Sequence, residues 1–241
     1  MIFTAYLKNP LHPITINLIG VGGTGSLILP RLARLDYALK LLDHPGLMVI
    51  AYDDDNVEEF NIGRQNFSVS DLGKNKAVAI IEKCNLNFGL LWDAEPDKFD
   101  VEKSPVCNIE IICVDNVKFR EDYYKKRLVE THNNHYNKNF FTIDCGNGKN
   151  FGQVVISSKL FPELKNPFQI FPDIKNQDNE KFQGIKSCSY EDSLRKQDLF
   201  VNDKVSVEAC DLLWKLFREN NFDINGVIFN QEKMKTLPIK I

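Results

Sequence analysis

A chain of 241 residues, 43% hydrophobic and 26% charged, can bury one sizeable core, so a single α/β domain spanning 1–241 is expected. Its formal charge of −3 and pI near 5.9 supply no basic field, which excludes nucleic acid as the main partner. No charged start followed by a long apolar core opens the chain, and no stretch reaches the ~18 continuous apolar residues of a membrane span, so a cytoplasmic protein with no membrane partner is expected.

Along the chain, Ile16, Leu18 and Ile19 form a short apolar run that ends in Gly20, Gly22, Gly23 and Gly25, where a helical pattern begins. This reads as strand, tight turn and helix, the arrangement in which nucleotide phosphates bind. Gly20 lets the backbone reverse, Gly22 and Gly23 let N–H groups approach an anion, and a helix beginning near Thr24 points its positive end at it. Ile28, Leu32, Leu35, Leu39 and Leu42, spaced 4, 3, 4 and 3, predict the helix's buried face, with a kink expected at Pro30. His44-Pro45-Gly46 ends it, and Leu47 to Asp53 reads as a second, parallel strand. Asp53 closes that strand where an acid grips ribose hydroxyls.

The next segment brings Asn61, Arg64, Gln65 and Lys76 downstream of that acid. Cations and amides gathered at the phosphate end suit a reaction that redistributes phosphate charge, whereas hydride transfer leaves the phosphates intact. A helix from about Asp71 is expected to turn Ala77, Ile80 and Ile81 inward. Asn108 to Asp115 reads as a strand ending on a second carboxylate, Asp115, a hard oxygen ligand suited to magnesium beside nucleotide phosphates. Asn116 and a helix carrying Lys118 and Arg120 follow.

Phe140 to Gly148 is another strand, and Gly152 to Ser157 is expected to pair antiparallel with it, since the link is short. His132 and His135 at a helix tail satisfy the dipole rather than bind metal. From about 158 to 187, prolines interleaved with phenylalanines and then a polar stretch predict a long crossover loop. It ends at Cys188, which precedes a helix N-terminus marked by Ser189 and Asp192, where thiolate is favoured. The other cysteines, Cys84, Cys107, Cys113, Cys145 and Cys210, form no CxxC pair with it or each other, so neither a disulfide framework nor structural zinc is indicated. Val205, Ala209, Leu212, Leu213, Leu216 and Phe217 share a helical face, with Asp211 and Lys215 paired opposite, and a hairpin closes the chain. Together these elements predict a Rossmann-like fold, a mostly parallel sheet with helices on both faces and antiparallel C-terminal strands.

Gly20-x-Gly22-Gly23-Thr24-Gly25-Ser26, Asp53-x-Asp55 with Asn61, Arg64, Gln65 and Lys76, and Val114-Asp115-Asn116 with Arg120 resemble the ThiF/MoeB/HesA adenylyltransferases, relatives of ubiquitin-activating enzymes. Nearly the whole chain is similar to the ThiF-like protein of the PRTRC cassette. The resemblance implies ATP- and Mg2+-dependent adenylation of the C-terminal glycine carboxylate of a small ubiquitin-like β-grasp protein by a homodimer. It implies that Asp53 holds ribose, that Asn61, Arg64 and Lys76 hold the phosphates, and that Asp115 holds magnesium. Asp55, Gln65 and Asn116 count with the glycines among the nucleotide-binding positions, and Cys188 would take the activated acyl group as a thioester. Two features depart from the family pattern: zinc-binding CxxC motifs are missing, and Met1 to Pro13 holds no arginine to reach a partner subunit's ATP. A non-catalytic scaffold binding nucleotide or a β-grasp protein and an NAD-dependent oxidoreductase stand as alternatives.

Overall fold

The computed structural model describes residues 5–130, 141–172, 197–219 and 222–241. Its strands are β1 (Ile14–Ile19), β2 (Leu47–Tyr52), β3 (Asp93–Glu95), β4 (Ile109–Ile112), β5 (Phe141–Asn147), β6 (Phe151–Ser158), β7 (Ile224–Asn230) and β8 (Lys235–Lys240). They form one sheet in the order β3-β2-β1-β4-β5-β6-β7-β8. The first five run parallel, and β6, β7 and β8 are added antiparallel. β4 is buried at all four residues and β1 at five of six, the pattern of parallel strands covered on both faces.

The helices are α1 (Ala5–Lys8), α2 (Gly25–Lys40), α3 (Lys76–Phe88), α4 (Val117–Glu130), α5 (Pro167–Ile170) and α6 (Val201–Arg218). Ile28, Leu32 and Leu39 of α2, Ile80 and Ile81 of α3, and Leu213 and Leu216 of α6 join Ile16, Leu18, Val49, Ile111 and Ile143 in the main core. Each such side chain contributes about 1.5–3 kcal/mol when fully buried. A smaller cluster joins Tyr123 and Tyr124 of α4 to Ile19, Tyr52 and Ile112. Because β1 has β2 on one side and β4 on the other, the connections leaving β1 and β4 diverge, and a crevice opens at the carboxyl ends of these strands.

Several local expectations are corrected. α3 starts at Lys76 rather than near Asp71, because Gly73 takes φ +80° and Asn75 caps the helix, its Oδ1 accepting from Val78 N at 3.1 Å. Asp71 instead ends a separate 3-10 turn, Val69–Asp71, and pairs with Lys83. Leu42, expected on the buried face of α2, lies beyond the end of that helix and is exposed. Lys215 pairs with Glu219 at 3.1 Å, not with Asp211. Part of the segment read as loop is ordered by α5, and Phe161 stacks on Phe141 at 5.8 Å. Cys188, Ser189, Asp192, His132 and His135 lie outside the described residues. Among the described residues, no helix is long and apolar enough to cross a membrane.

Candidate active site

The glycine turn lies at the head of the crevice. Gly20 has φ +89° and donates its N–H to Tyr52 O at 2.9 Å. A Cβ there would meet Val114 Cγ1 at 2.9 Å, so the chain leaving β4 presses on the turn that leaves β1. At Gly25 a Cβ would fall 1.9 Å from Gly20 O, which makes glycine the condition for α2 to begin this close to the strand. Gly22 faces open space. Thr24, the N-cap of α2, makes no side-chain capping bond, and Ser26 N donates to Gly22 O and Leu27 N to Thr24 O, both at 3.1 Å. The positive end of the α2 dipole still faces the turn, the feature that favours an anion at a helix N-terminus.

Asp53 ties the end of β2 to this turn. Its Oδ2 accepts from Val21 N at 2.5 Å and its Oδ1 from Asp55 N at 2.9 Å. Burial pushes its carboxyl above the usual range, opposed by those two N–H groups and by Lys76. Lys76 Nζ reaches Asp55 Oδ2 at 2.8 Å; the lysine side chain is 9% exposed and the aspartate 69%. Asn75 Nδ2 donates to Asp53 O at 2.7 Å and fixes the start of α3 beside the acid. The structure thus brings Gly20, Asp53, Asp55 and Lys76 together.

The segment between them holds two 3-10 turns, Glu59–Asn61 and Val69–Asp71. Asn61 is buried, and its Oδ1 accepts from Glu58 N at 2.9 Å, closing the 3-10 turn Glu59–Asn61. Gln65 N donates to Asn61 O at 3.0 Å, and Gln65 Oε1 is buried without a partner among the described residues. Arg64 is half-buried and donates from Nη1 to Gln197 Oε1 at 3.0 Å. Asp115 and Asn116 are exposed where the chain leaves β4, and Asn116 Oδ1 accepts from Phe119 N at 3.0 Å in the first turn of α4. Arg120 turns away from this edge: its Nη2 contacts Asp144 Oδ1 at 2.8 Å as an ion pair and donates to Cys145 O at 2.5 Å.

Three residues at the crevice carry no sequence assignment. Asn147 at the end of β5, Gln197 and Asn202 in the first turn of α6 link Thr24 to Arg64 through side-chain amides. The available signal was a polar residue, Asn202, beside buried Val201 at the start of an otherwise apolar helical face. Cys113 and Cys145 stand side by side, one residue past the Ile112–Asp144 register pair. A hydrogen bond with Cys113, then burial, pushes the Cys145 thiol well up, which disfavours a thiolate there.

No family model matches the chain. A Plasmodium falciparum (isolate 3D7) protein provisionally named a tRNA-specific 2-thiouridylase is 24% identical over 98 residues, 39% of this chain and 9% of its own length. Escherichia coli MccB superposes along 98% of the chain, with a TM-score of 0.68 and 18% identity in its succinimide structure, and 0.66 and 17% with ATP. PaaA superposes along 99%, with a TM-score of 0.64 and 14% identity. The chain spans 65% of MccB and 66% of PaaA. At these identities the likeness establishes a shared fold, the mostly parallel Rossmann-like α/β sheet with antiparallel C-terminal strands. MccB, called a microcin C7 biosynthetic enzyme, is also solved with AMPCPP and with MccA.

Proposed function

We propose that this chain is an adenylyltransferase that uses ATP and Mg2+ to activate the C-terminal glycine carboxylate of a small ubiquitin-like β-grasp protein, acting as a homodimer of a nucleotide-binding domain spanning 1–241. One observation carries the reading: two cations are each tied by a short hydrogen-bonded chain to the glycine turn at the sheet's switch point. Lys76 pairs with Asp55, whose N–H binds the Asp53 carboxylate that accepts from Val21. Arg64 reaches Thr24 through Gln197 and Asn202. Cations at the phosphate end serve phosphoryl chemistry and have no task in hydride transfer. The fold shared with MccB, solved with ATP and with MccA, supports a nucleotide and a small peptide or protein partner.

In the proposed reaction a carboxylate oxygen of the partner attacks the α-phosphorus of ATP, and pyrophosphate leaves. Asp53 receives the ribose hydroxyls, with Asp55, Gln65 and Asn116 completing the nucleotide contacts. Asn61, Arg64, Lys76 and the N-terminal end of α2 meet the charge that builds on the phosphate oxygens, so catalysis is positioning and electrostatics. Asp115, an exposed carboxylate beside the crevice, fits magnesium, which takes one or two carboxylates together with phosphate oxygens and supplies charge neutralisation when bound. In a second step the Cys188 thiolate attacks the acyl carbon, forming a thioester and releasing AMP.

Thermal unfolding tests the nucleotide. ATP with Mg2+ is expected to raise Tm, by an amount equivalent to about 2.7 kcal/mol at a hundredfold excess over Kd, and NAD to raise it less. Stabilisation by NAD and not by ATP sinks the adenylation reading. Pyrophosphate exchange with a β-grasp partner is expected to survive Cys188→Ala and to be lost in Arg64→Ala, because adenylation needs no thiol.

A further inference from the structure

Gln197 and Asn202 belong to none of the assigned positions, yet they join the two sides of the crevice. Gln197 Oε1 accepts from Arg64 Nη1 and from Asn202 Nδ2, both at 3.0 Å, while its Nε2 donates to Gly148 O at 3.2 Å. Asn202 Oδ1 accepts from the Thr24 hydroxyl at 3.1 Å and from Asn147 Nδ2 at 2.6 Å. With both ends of each amide engaged, neither can flip without breaking bonds, and Asn202 is only 2% exposed. A buried polar group that loses its partners is costly, so this arrangement is held.

Gly23 reports the same constraint independently. A Cβ at position 23 would lie 2.6 Å from Asn202 Nδ2 and 2.8 Å from its Cγ. Glycine there lets the Asn202 amide lie directly against the turn, a role separate from admitting an anion. The amide oxygen of Gln197 accepts from the Arg64 guanidinium and so fixes one edge of its planar fork.

We propose that Gln197 and Asn202 are positioning residues that lock the Arg64 guanidinium at a fixed spacing from the glycine turn, so that α6 sets the geometry of the phosphate site. The inference rests on the nucleotide reading above. Its readout is the affinity of the full chain for ATP with Mg2+, measured by titration calorimetry for the unaltered protein, Gln197→Ala, Arg64→Ala and the double variant, each with a nucleotide-free unfolding curve. Gln197→Ala also strips buried Asn202 Nδ2 of its acceptor, so its unfolding midpoint is expected to fall, and the nucleotide-free curve establishes that each variant is folded at the titration temperature. Gln197→Ala is expected to weaken ATP binding about tenfold, the scale of one hydrogen bond to a charged group. In the Arg64→Ala background the same truncation is expected to cost less than about twofold, because Gln197 acts through Arg64.

An equal loss in both backgrounds, or no loss in Gln197→Ala, overturns the inference and leaves the nucleotide reading intact. Absence of ATP binding by the unaltered protein overturns both. Thr24 supplies a second check on the turn side of the relay. Thr24→Ser keeps the hydroxyl and is expected to retain affinity, while the isosteric Thr24→Val loses it several-fold, on the scale of one hydrogen bond; retained affinity in Thr24→Val overturns the relay.

Discussion

Two regions of the molecule use their cations in opposite ways. On the α4 face, Arg127 is enclosed: it donates from Nη2 to Glu110 Oε1 at 2.6 Å and to Pro105 O at 2.8 Å, and from Nη1 to Ser104 O at 2.7 Å. Glu110 is fully buried in β4 and its second oxygen accepts from Tyr123 at 2.5 Å, so this charge pair is saturated from both sides. Arg120 makes the same kind of contact with buried Asp144. At the carboxyl edge, Lys76 pairs with Asp55, an aspartate whose side chain is 69% exposed. Cations matched by buried carboxylates hold the fold, whereas a cation whose partner stands mostly in solvent is the kind the proposed phosphate site calls for.

The largest expected effect breaks the first region. Arg127→Ala removes a guanidinium with several bonds and leaves Glu110 buried and unpaired, so a loss of about 3–5 kcal/mol is expected in urea unfolding. ATP affinity of whatever remains folded is expected to stay near that of the unaltered chain. A loss below about 1 kcal/mol would put Arg127 in the class of surface ion pairs and erase the contrast.

Arg120→Ala is expected to cost less, because Asp144 can take up a proton. Burial already pushes the Asp144 carboxyl up, and Arg120, with a hydrogen bond from Tyr124, pulls it down. Without Arg120 the folded-state pKa rises further above the unfolded value of about 3.9. A carboxyl with a raised folded pKa binds its proton more tightly in the native state, so its penalty is absent below the unfolded pKa and grows as pH rises through the folded one. The stability gap between Arg120→Ala and the unaltered chain is therefore expected to be small near pH 4 and wide at pH 7. A gap independent of pH would mean that Asp144 does not titrate in the variant.

What the sequence made legible follows the range of the interaction. The strand, turn and helix around Gly20 are written in a local apolar period, and Asp53 follows from its place at the end of the next strand. β3 was not anticipated, since three residues, Asp93 to Glu95, carry no apolar pattern. Arg120 looked like a site residue in sequence, and only the fold turns it to Cys145, 25 residues away. The amide relay is less local still, with Asn147 and Asn202 separated by 55 residues and Thr24 and Asn202 by 178. The need of Glu110, an acid inside the run Ile109–Ile112, for a buried cation was not read from the sequence, and the fold supplies it as Arg127, 17 residues on.

The smallest effect on stability is expected at Lys76, and it decides whether the carboxyl edge differs in kind from the α4 face. Lys76 is the first residue of α3, where the helix dipole is positive, so its charge is placed against the local preference and no acidic residue in the first turn offsets it. A cation held where it does not help the helix points to a task outside folding. Its Asp55 partner is mostly exposed, and such a pair contributes about 1 kcal/mol or less. Lys76→Ala is therefore expected to shift the unfolding free energy by about 1 kcal/mol at most, because alanine favours the helix and relieves the dipole while some buried stem is lost. Affinity for ATP with Mg2+ is expected to fall on the order of ten- to a hundredfold, since a charge-assisted phosphate contact disappears. Urea unfolding and calorimetric titration on one preparation separate the two quantities. A stability loss comparable to that of Arg127→Ala with ATP affinity unchanged would move Lys76 into the structural set and remove the phosphate role assigned to it.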